Sequence, residues 1–575
     1  MFVIRAKWIL PLQVWVFTTS SLGEAQNIPS SADPGVVVRS LPEYRQPVNT
    51  LSIEGRKAES SKQLPVETQS VTFPLSAIRL DGNTVYTPEQ LLPLYSELLG
   101  TTVSLAVLHR VADEITAQYQ RDGYLLSFAI IPAQEINQGI VTIKIIEGSV
   151  DRVLVNQGSD IPVDISLIQH FLRQITAEKP LNTNKLERQL LMINTLPGIA
   201  IETVLKASPD KPDVADLYVF LIQKPLQLAA TLDNRGTQYL GPERLSVQLT
   251  GNSLLGRSER ISVGLNTTRG VDAFGSDDPG RFNYVSMAYR ENIGYSGQQW
   301  FVNANVGSTH PASVDALAGL DIEGDYQQYS IGLLWPVRYQ RTERFIVQGR
   351  FDYQQTDSHL ASELITRDRV RSLRLAGLYQ FADAGAGINT FRLELSTGLD
   401  ILNASDNDST LNSREGGRSD YWKLTFNASR TQPLTSRLEW SWSGMAQWSG
   451  TELLAGEEFA LGGPGLGGAY DSGELTGEHG VAVRTQVTHW LSGSHPLLSG
   501  AGVYGYYDVG LVWDRSDDQH TRSSLTSSGA GITLDFGRVN LNLELAMPMN
   551  RHVESERAAS HGKGPRLFFS LSGSF

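Results

Sequence analysis

The chain has 575 residues, of which 41% are hydrophobic and 19% charged, with 53 glycines and no cysteine. Low charge and abundant glycine favour a β-rich protein, and the lack of cysteine excludes disulfides and thiolate metal sites. A formal net charge of −13, with no basic stripe to offset it, argues against nucleic acid as a partner.

The first 25 residues have the three parts of a secretory signal peptide. Two basic residues precede an apolar core from Trp8 to Phe17, and small residues end at Ala25. The apolar run is too short to span a bilayer, which disfavours a retained anchor. We expect an exported protein, with residues 26–70 forming a Pro/Ser-rich linker that has a short helix near 35–44. If the mature chain is in a membrane, it must be a barrel, because no later run is long enough for a helix.

Residues 71–225 repeat one order of elements, β-α-α-β-β, twice. In the first copy (71–148), Thr87 is the predicted cap of a helix and Gln90 completes a capping box. The second copy (149–225) follows the same order. This internal repeat predicts two small α+β modules in tandem.

From residue 226 to 575 the helical signal disappears and short segments alternate between apolar and polar residues. In "RLSVQLT", Leu245, Val247 and Leu249 share one face, with polar residues on the other. There are sixteen such segments, and an even number is typical of transmembrane barrels. The pattern therefore predicts a sixteen-stranded antiparallel transmembrane barrel. The strands are predicted to begin near Leu226, Glu243, Glu259, Arg281, Gln299, Tyr326, Arg344, Val370, Ile388, Tyr421, Ser436, Gly480, Ala501, Ser527, Arg538 and Arg566.

The connections between these strands alternate in length. Short turns such as "ADAGAG" and "TQPLTS" alternate with long polar segments such as "LDILNASDNDSTLNSREGGRSD". Outer-membrane barrels have short periplasmic turns and long external loops. The alternative is a soluble β-sandwich or an autotransporter-like repeat, which the strand count and the aromatic last strand disfavour.

The segment "GGPGLGGAYDSGELTGEHG" contains G-x-G-x-x-G between Gly463 and Gly468. A dinucleotide site would need a helix after the glycines, and no helical period follows. We therefore expect no cofactor here. The spacing of the histidines is not that of metal ligands. We interpret four loop acids as solvated rather than as calcium ligands: Asp406, Asp408, Asp517 and Asp518. The sequence shows no catalytic constellation.

These features together resemble the two-partner secretion transporters (TpsB), of the hemolysin activation/secretion type (ShlB/FhaC/HecB-like), in the outer-membrane assembly factor superfamily. "RLDGNTVY" and "GIVTIKIIEG" resemble the first polypeptide-transport-associated (POTRA) domain, and "LERQLLMINTLPGI" resembles the second. "LDNRGTQYLGPERLSVQLTGNSLLG" is similar to the first strands of the barrel, and "GYYDVGLVWD" to its thirteenth strand.

The resemblance implies an outer-membrane transporter, not an enzyme, that exports and thereby activates one TpsA-like exoprotein such as a hemolysin or adhesin. The POTRA domains, in the periplasm, would bind the unfolded partner, which would then pass through the barrel. Outer-membrane lipids, periplasmic chaperones and the barrel assembly machinery are the other expected partners. The assigned substrate-binding residues are Leu186, Leu190, Leu191, Ile193 and Leu196, and those of the assembly signal are Phe569, Leu571 and Phe575.

The resemblance also implies that the sixth external loop, residues 450–479, folds back into the lumen. The assigned loop and lumen residues are Gly463, Gly468, Tyr470, Gly473, Glu474, Arg484 and Asp508. In the family a loop arginine is thought to pair with the aspartate at Asp508, but Gly468 stands in the arginine's place. Alternation points Arg484 inward on the neighbouring strand, and we hypothesise that it supplies part of the pairing. Alternatively, Asp508 faces water and needs no partner.

Two other functions are the alternatives. An insertase of the same superfamily would typically carry more than two POTRA copies. An outer-membrane enzyme or receptor barrel would show a nucleophile motif or a plug domain before the barrel. Whether residues 26–70 plug the pore is left open by the sequence.

Overall fold

The computed structural model describes residues 30–34, 38, 53–54, 72–157, 165–209, 211, 214–268, 279–313, 317, 319–491, 498–515, 522–552 and 564–575. The predicted signal peptide, most of the predicted linker, including nearly all of its predicted helix, and Asp517 and Asp518 lie outside these residues. The chain forms two compact units, one mainly from residues 49–224 and the other mainly from residues 225–575.

The first unit contains nine strands and four α-helices among its described residues. The strands are β1 (Ile53–Glu54), β2 (Thr72–Pro74), β3 (Ala77–Asp81), β4 (Thr102–Ser104), β5 (Phe128–Ile130), β6 (Ile140–Ile146), β7 (Ser149–Gln157), β8 (Ile199–Ala207) and β9 (Val214–Gln223). The helices are α1 (Pro88–Leu91), α2 (Leu105–Arg121), α3 (Ile165–Ala177) and α4 (Thr183–Asn194).

The first module packs helix α2 on a sheet of order β3-β6-β5, with β3 parallel and β5 antiparallel to β6. Apolar residues spaced three and four apart give α2 one buried face. The buried residues of this helix are Leu108, Val111, Ala112, Ile115 and Tyr119. Each large apolar side chain so buried contributes roughly 1.5–3 kcal/mol. Helix α1 begins after Thr87 as predicted but ends at Leu91 and continues as 3-10 turns, because Pro93 has no N–H to donate.

The second module has the predicted order β-α-α-β-β, as β7-α3-α4-β8-β9, whereas the first has the additional short strand β4 between α1 and α2. Its sheet has the order β1-β8-β9-β7, in which the two-residue strand β1 lies parallel to β8 at Thr203 and Val204. Helices α3 and α4 pack against the sheet around a single apolar core. Strand β1 comes from the predicted linker, so part of that segment lies on the edge of this sheet.

The second unit is a closed barrel of sixteen strands, which confirms the predicted fold and strand number. Its strands are β10 (Leu226–Asp233), β11 (Arg244–Asn252), β12 (Arg260–Thr268), β13 (Arg281–Ile293), β14 (Gln298–His310), β15 (Ile322–Tyr339), β16 (Glu343–Leu360), β17 (Glu363–Ala382), β18 (Ile388–Gly398), β19 (Trp422–Pro433), β20 (Leu438–Ser449), β23 (His479–Trp490), β24 (Gly500–Trp513), β25 (Arg522–Asp535), β26 (Val539–His552) and β27 (Arg566–Ser574). Two further strands, β21 (Phe459–Leu461) and β22 (Leu475–Gly477), form a separate hairpin.

Side chains alternate between the two faces of the barrel wall. Leu543 and Leu545 are exposed on the outer face, whereas Glu544 between them is buried. The same holds on β17, where Leu373 and Leu375 are exposed and Arg374 is buried. An apolar outer face with polar residues inside is typical of a barrel surrounded by lipid. Among the described residues, no helix has the length and apolar character needed to cross a membrane.

Most strands begin within a few residues of their predicted starts, but β17 begins at Glu363 rather than near Val370. The added segment pairs polar residues with polar residues, as where Arg367 lies opposite Asp357 with a 2.6 Å ion pair. Apolar alternation therefore does not mark it, and sequence periodicity misses it.

Glu147 connects the turn after β3 to helix α2. Its carboxylate accepts hydrogen bonds from the backbone N–H of Thr84 at 2.6 Å and of Val85 at 2.8 Å, and from the Tyr119 hydroxyl at 2.7 Å. Partial burial alone would raise the pKa of Glu147, but these hydrogen bonds outweigh it and hold the pKa below its usual value.

We predict that Glu147→Gln loosens this turn by about 1–3 kcal/mol, because charge-assisted hydrogen bonds are lost. Hydrogen exchange at the amides of Thr84 and Val85 should be faster at pH 7, while the exposed Glu97→Gln leaves it unchanged. A folded pKa below the unfolded value makes the stabilisation complete above about pH 4.3, and it disappears as the pH falls through the folded pKa. Wild type and variant should therefore converge only below about pH 4. Equal protection at pH 7 would contradict this role.

Candidate functional site

The segment between β20 and β23 folds into the barrel lumen. Its hairpin and tip, including Leu461, Leu466 and Tyr470, belong to one buried apolar cluster. The wall residues of that cluster come from six successive barrel strands, β20 and β23 to β27, and are Met445, Ala482, Val512, Leu525, Ala546 and Phe568. A segment that packs against the inner side of six wall strands lies inside the barrel. We call residues 450–478 the luminal loop.

Asp508 on β24 is the centre of the polar contacts at the loop tip. Arg484, its register partner on β23, donates from Nε to Oδ1 at 2.6 Å and from Nη2 to Oδ2 at 2.7 Å. The backbone N–H groups of Gly467 and Gly468 donate to Oδ2 at 3.1 and 2.8 Å, and the Ser527 hydroxyl donates at 2.9 Å. The Asp508 side chain is 1% exposed, so a buried charge is matched by an ion pair and three further donors.

Arg484 also contacts the loop directly. Its Nη1 donates to the Pro464 carbonyl at 2.6 Å, and its guanidinium lies 4.1 Å from the ring centre of Tyr506. A Cβ added at Gly468 would lie 2.7 Å from Arg484 Nη2 and 2.5 Å from the Tyr506 hydroxyl. The wall guanidinium thus occupies the space that a side chain at 468 would need, which is a physical reason for glycine at this position.

The other assigned loop residues also lie in or beside the tip. The Tyr470 hydroxyl is 3.1 Å from the Asn550 carbonyl and 3.3 Å from that of Thr526. The N–H of Gly463 donates to the Tyr470 carbonyl at 3.1 Å, and Glu474 is buried. The carbonyl of Gly473 accepts a hydrogen bond from the Ser30 hydroxyl.

Residues 30–34 lie against the barrel interior. Ser31, Ala32 and Asp33 are each at most 2% exposed. Ala32 packs in a cluster with residues of the barrel strands and of the connections between them, namely Tyr239, Leu240, Phe282, Tyr284, Leu317, Ile322 and Tyr326. A short part of the predicted linker therefore shares the lumen with the luminal loop.

The base of the loop has ionic anchors that the sequence reasoning missed. Glu457 pairs with Arg374 of β17 at 2.6 Å and with Lys423 of β19 at 2.8 Å. Glu458 and Glu478, which flank the hairpin, both pair with Arg414 of the connection between β18 and β19. The adjacent acids of "GEEFA" and the inward phase of Arg374 were the available signals.

Among the described residues, three carboxylates are close enough together to hold a metal ion: Glu458, Glu478 and Asp514. Arg414 already lies among them, since its guanidinium nitrogens contact all three side chains. A guanidinium therefore supplies the positive charge at this position.

The assigned substrate-binding residues of the second module require a correction. Leu186, Leu190, Leu191, Ile193 and Leu196 are 0–3% exposed and belong to the core between α3, α4 and the sheet. Buried side chains that fill a core do not contact a peptide, so their role is packing. The exposed apolar residues of this sheet include Phe220 and Ile222 on β9.

The last strand ends beside the first. Leu571 and Phe575 are exposed on the outer face, Phe569 is partly exposed, and Phe568 points inward. Leu228 of β10 and Phe575 exchange backbone hydrogen bonds of 3.0 and 2.8 Å.

Comparison with known proteins identifies the family. The family described as "Haemolysin secretion/activation protein ShlB/FhaC/HecB" matches residues 221–534, and the ShlB-type POTRA domain matches residues 73–148. The chain belongs to the ShlB/FhaC/HecB family. It is therefore an outer-membrane transporter of two-partner secretion, with a periplasmic POTRA domain and a secreted exoprotein as partner, and not the insertase weighed as the alternative.

Individual relatives cover most of the chain. The heme/hemopexin transporter protein HuxB of Haemophilus influenzae (strain 86-028NP) is 23% identical over 505 residues, covering 85% of this chain and 86% of that protein. The outer membrane transporter CdiB of Escherichia coli is 22% identical over 500 residues, covering 85% and 81%. The solved structure of CdiB from Escherichia coli superposes with a TM-score of 0.70 at 19% identity, over 94% of this chain and 95% of that one. CdiB from Acinetobacter baumannii gives 0.61 at 14% identity, over 91% and 95%.

We predict that Asp508→Asn releases the loop tip and destabilises the barrel by about 3–5 kcal/mol, because Arg484 is left as a buried charge without its carboxylate. The temperature at which the folded band converts to the unfolded band on an SDS gel should fall. The matched control is Asp420→Asn, which breaks an exposed ion pair with Arg418 and should cost under about 1 kcal/mol. Equal shifts for both variants would contradict a special role for Asp508.

Proposed function

We propose that this transporter exports one large exoprotein, such as a hemolysin or an adhesin, as an unfolded polypeptide through the barrel lumen. The main support for this proposal is the way in which the luminal loop is held. At the centre of the site, its tip is held by hydrogen bonds, from the N–H groups of Gly467 and Gly468 to Asp508 and from Arg484 to the Pro464 carbonyl. Such contacts can be exchanged for those of a passing chain. A sixteen-stranded barrel is wide enough for a channel once its contents move.

Residues 30–34 are proposed to close the resting pore together with the luminal loop. Two observations support this: the burial of Ser31, Ala32 and Asp33 inside the second unit, and the hydrogen bond from Ser30 to Gly473 of the loop. Displacement of either segment would remove a contact of the other. The two would therefore leave the lumen more readily together than singly.

The repeated modules are proposed to be two POTRA domains, residues 71–148 and 149–225, that receive the unfolded partner. An extended peptide binds a sheet edge through backbone hydrogen bonds, which give affinity without requiring one sequence. Strand β1 already lies on the β8 edge beside Thr203 and Val204. This supports that edge as a seat for an extended chain, and the partner would replace β1 there.

Further contacts follow from the barrel surface. Exposed residues such as Leu543 and Leu545 would face outer-membrane lipids. The aromatic last strand, with Phe569, Leu571 and Phe575, would be recognised by the barrel assembly machinery. Periplasmic chaperones would keep the chain unfolded before assembly.

Removal of the loop tip tests the export route. Replacing residues 462–474 by a short glycine–serine turn keeps the β21–β22 hairpin while emptying the lumen near Asp508. We expect higher conductance in planar bilayers and several-fold weaker secretion of the partner. The control replaces the exposed turn Gly294–Gly297 and should change neither. Unchanged conductance and secretion would overturn the assigned role of the loop.

A disulfide cross-link tests the β8 edge. Because the chain has no cysteine of its own, only the introduced pair can form it. Glu54→Cys with Val204→Cys joins register partners in parallel strands. When oxidised, this variant should secrete at least about tenfold less partner, because β1 can no longer leave the edge. A reductant should restore secretion.

The matched control is Leu154→Cys with Tyr218→Cys, a parallel pair between β7 and β9 that leaves the β8 edge accessible. It should secrete normally when oxidised. Normal secretion by the oxidised Glu54–Val204 pair would show that the partner does not use this edge.

A further inference from the structure

The closure between the first and last barrel strands is short. Strands β10 and β27 share five register pairs, from Ala229 with Ser574 to Asp233 with Ser570, whereas the adjacent ladders β10–β11 and β26–β27 have eight each. We call this closure the seam. Because each ladder step contributes backbone hydrogen bonds, the seam has fewer of them to hold it than the walls on either side.

A side chain strengthens the seam one step beyond its last register pair, where the Asn234 N–H also donates to the Phe569 carbonyl at 3.4 Å. Asn234, directly after β10, donates from Nδ2 to the Leu567 carbonyl at 3.0 Å. Its Oδ1 accepts from the backbone N–H of Phe569 at 2.8 Å. The carboxamide thus adds two hydrogen bonds to the backbone bond at this step.

The next residue, Arg235, reaches from the seam into the lumen. Its Nη1 donates to the Gly468 carbonyl of the loop tip at 2.7 Å, and its Nη2 pairs with Glu544 at 2.6 Å. The guanidinium lies 3.6 Å from the centre of the Phe568 ring on β27. One planar group therefore contacts the loop, the wall and the opposite side of the seam.

Arg566, at the start of β27, makes the matching contact from the other side of the seam. Its Nη1 donates to the Ala469 carbonyl at 3.2 Å, and its Nη2 pairs with Asp471 of the loop at 2.8 Å. It also lies against the Phe568 ring, at 4.9 Å from the ring centre. Two consecutive loop carbonyls are thus bound by arginines from the two sides of the seam.

We propose that Arg235 and Arg566 strap the loop tip to the seam, as positioning residues that keep the loop in the lumen and the first and last strands together. The arginine fork is essential, because each guanidinium bonds a carbonyl with one nitrogen and a carboxylate with another. A lysine keeps the charge but presents a single nitrogen. The strap needs only the closed barrel and the loop position, so it is tested on purified protein without the exported partner.

The test variant is Arg235→Lys with Arg566→Lys, and the measurement is the temperature of folded-to-unfolded conversion on an SDS gel. We expect a fall of about 5–10 °C, because two charge-assisted hydrogen bonds to the loop are lost. Arg392→Lys is the control, since Arg392 bonds the wall residues Gln348 and Glu394, and it should shift the temperature far less. The single variant Arg566→Lys should give an intermediate fall and serves if the double variant does not assemble.

A disulfide separates a seam effect from a general loss of stability. Thr231 and Ser572 lie opposite each other in the seam. Neither residue is part of the strap. Oxidised Thr231→Cys with Ser572→Cys should restore most of the lost temperature in the lysine variant. Thr250→Cys with Ser262→Cys joins the β11–β12 ladder, where these side chains are 3.2 Å apart, and should restore little.

Coupling to the loop is tested in the Asp508→Asn background, where the tip is already released. In that background the lysine substitutions should lower the conversion temperature little further, because the effects of substitutions that act through one shared element are not additive. The proposal is overturned if the lysine variant melts like wild type, if both disulfides restore it equally, or if the losses in the Asp508→Asn background add in full.

Discussion

The tip of the luminal loop is bound at the ion pair between Asp508 and Arg484. Both residues belong to the wall, on adjacent strands and in direct register. The loop contributes only the N–H groups of Gly467 and Gly468 and the carbonyl of Pro464. If the loop left the lumen, as proposed, the two charges would stay paired with each other. An arginine carried by the loop would instead leave Asp508 as a buried charge without a partner, which is costly. The arrangement found here therefore lowers the cost of release while keeping the tip bound at rest.

The rest of the loop is held in layers of different chemistry. Apolar residues of the hairpin and tip, such as Leu461 and Leu466, pack on the inner wall, which fixes the depth of the loop without fixing its orientation. Orientation comes from the ionic contacts at the base, where Glu457 pairs with Arg374 and Lys423. These groups are nearly fully buried, so each carboxylate needs its cation present. Movement of the base is consequently more costly than movement of the tip, and the tip is the part that would yield first to a passing chain.

Sequence periodicity predicts the barrel well because every wall strand must present one apolar face to lipid. It fails at the start of β17, where Arg367 faces Asp357 and neither face is apolar. The inward phase of Arg484 and Asp508 follows from the same alternation, since each lies two positions from another inward residue. The acids of "GEEFA" and the inward phase of Arg374 indicate charged luminal groups, but not which of them pair, because only barrel closure brings Arg374 and Lys423 to Glu457. The leucines of α4 were assigned to peptide binding, but an amphipathic helix carries the same pattern when its apolar face forms a core.

The luminal loop connects two parts of the barrel wall whose strands differ in length. Strands β15, β16 and β17 have 18, 18 and 20 residues, whereas β10, β11 and β12 have 8, 9 and 9. The loop base is bound to β17 through Arg374, and the tip lies at the seam beside Arg235 and Arg566. The loop thus crosses the lumen from the long-stranded wall to the seam, whose ladder is shorter than those on either side. Under the proposed export route, a chain that pushed the tip aside would remove contacts from a seam with a shorter ladder than its neighbours, so opening of the pore would also loosen the seam.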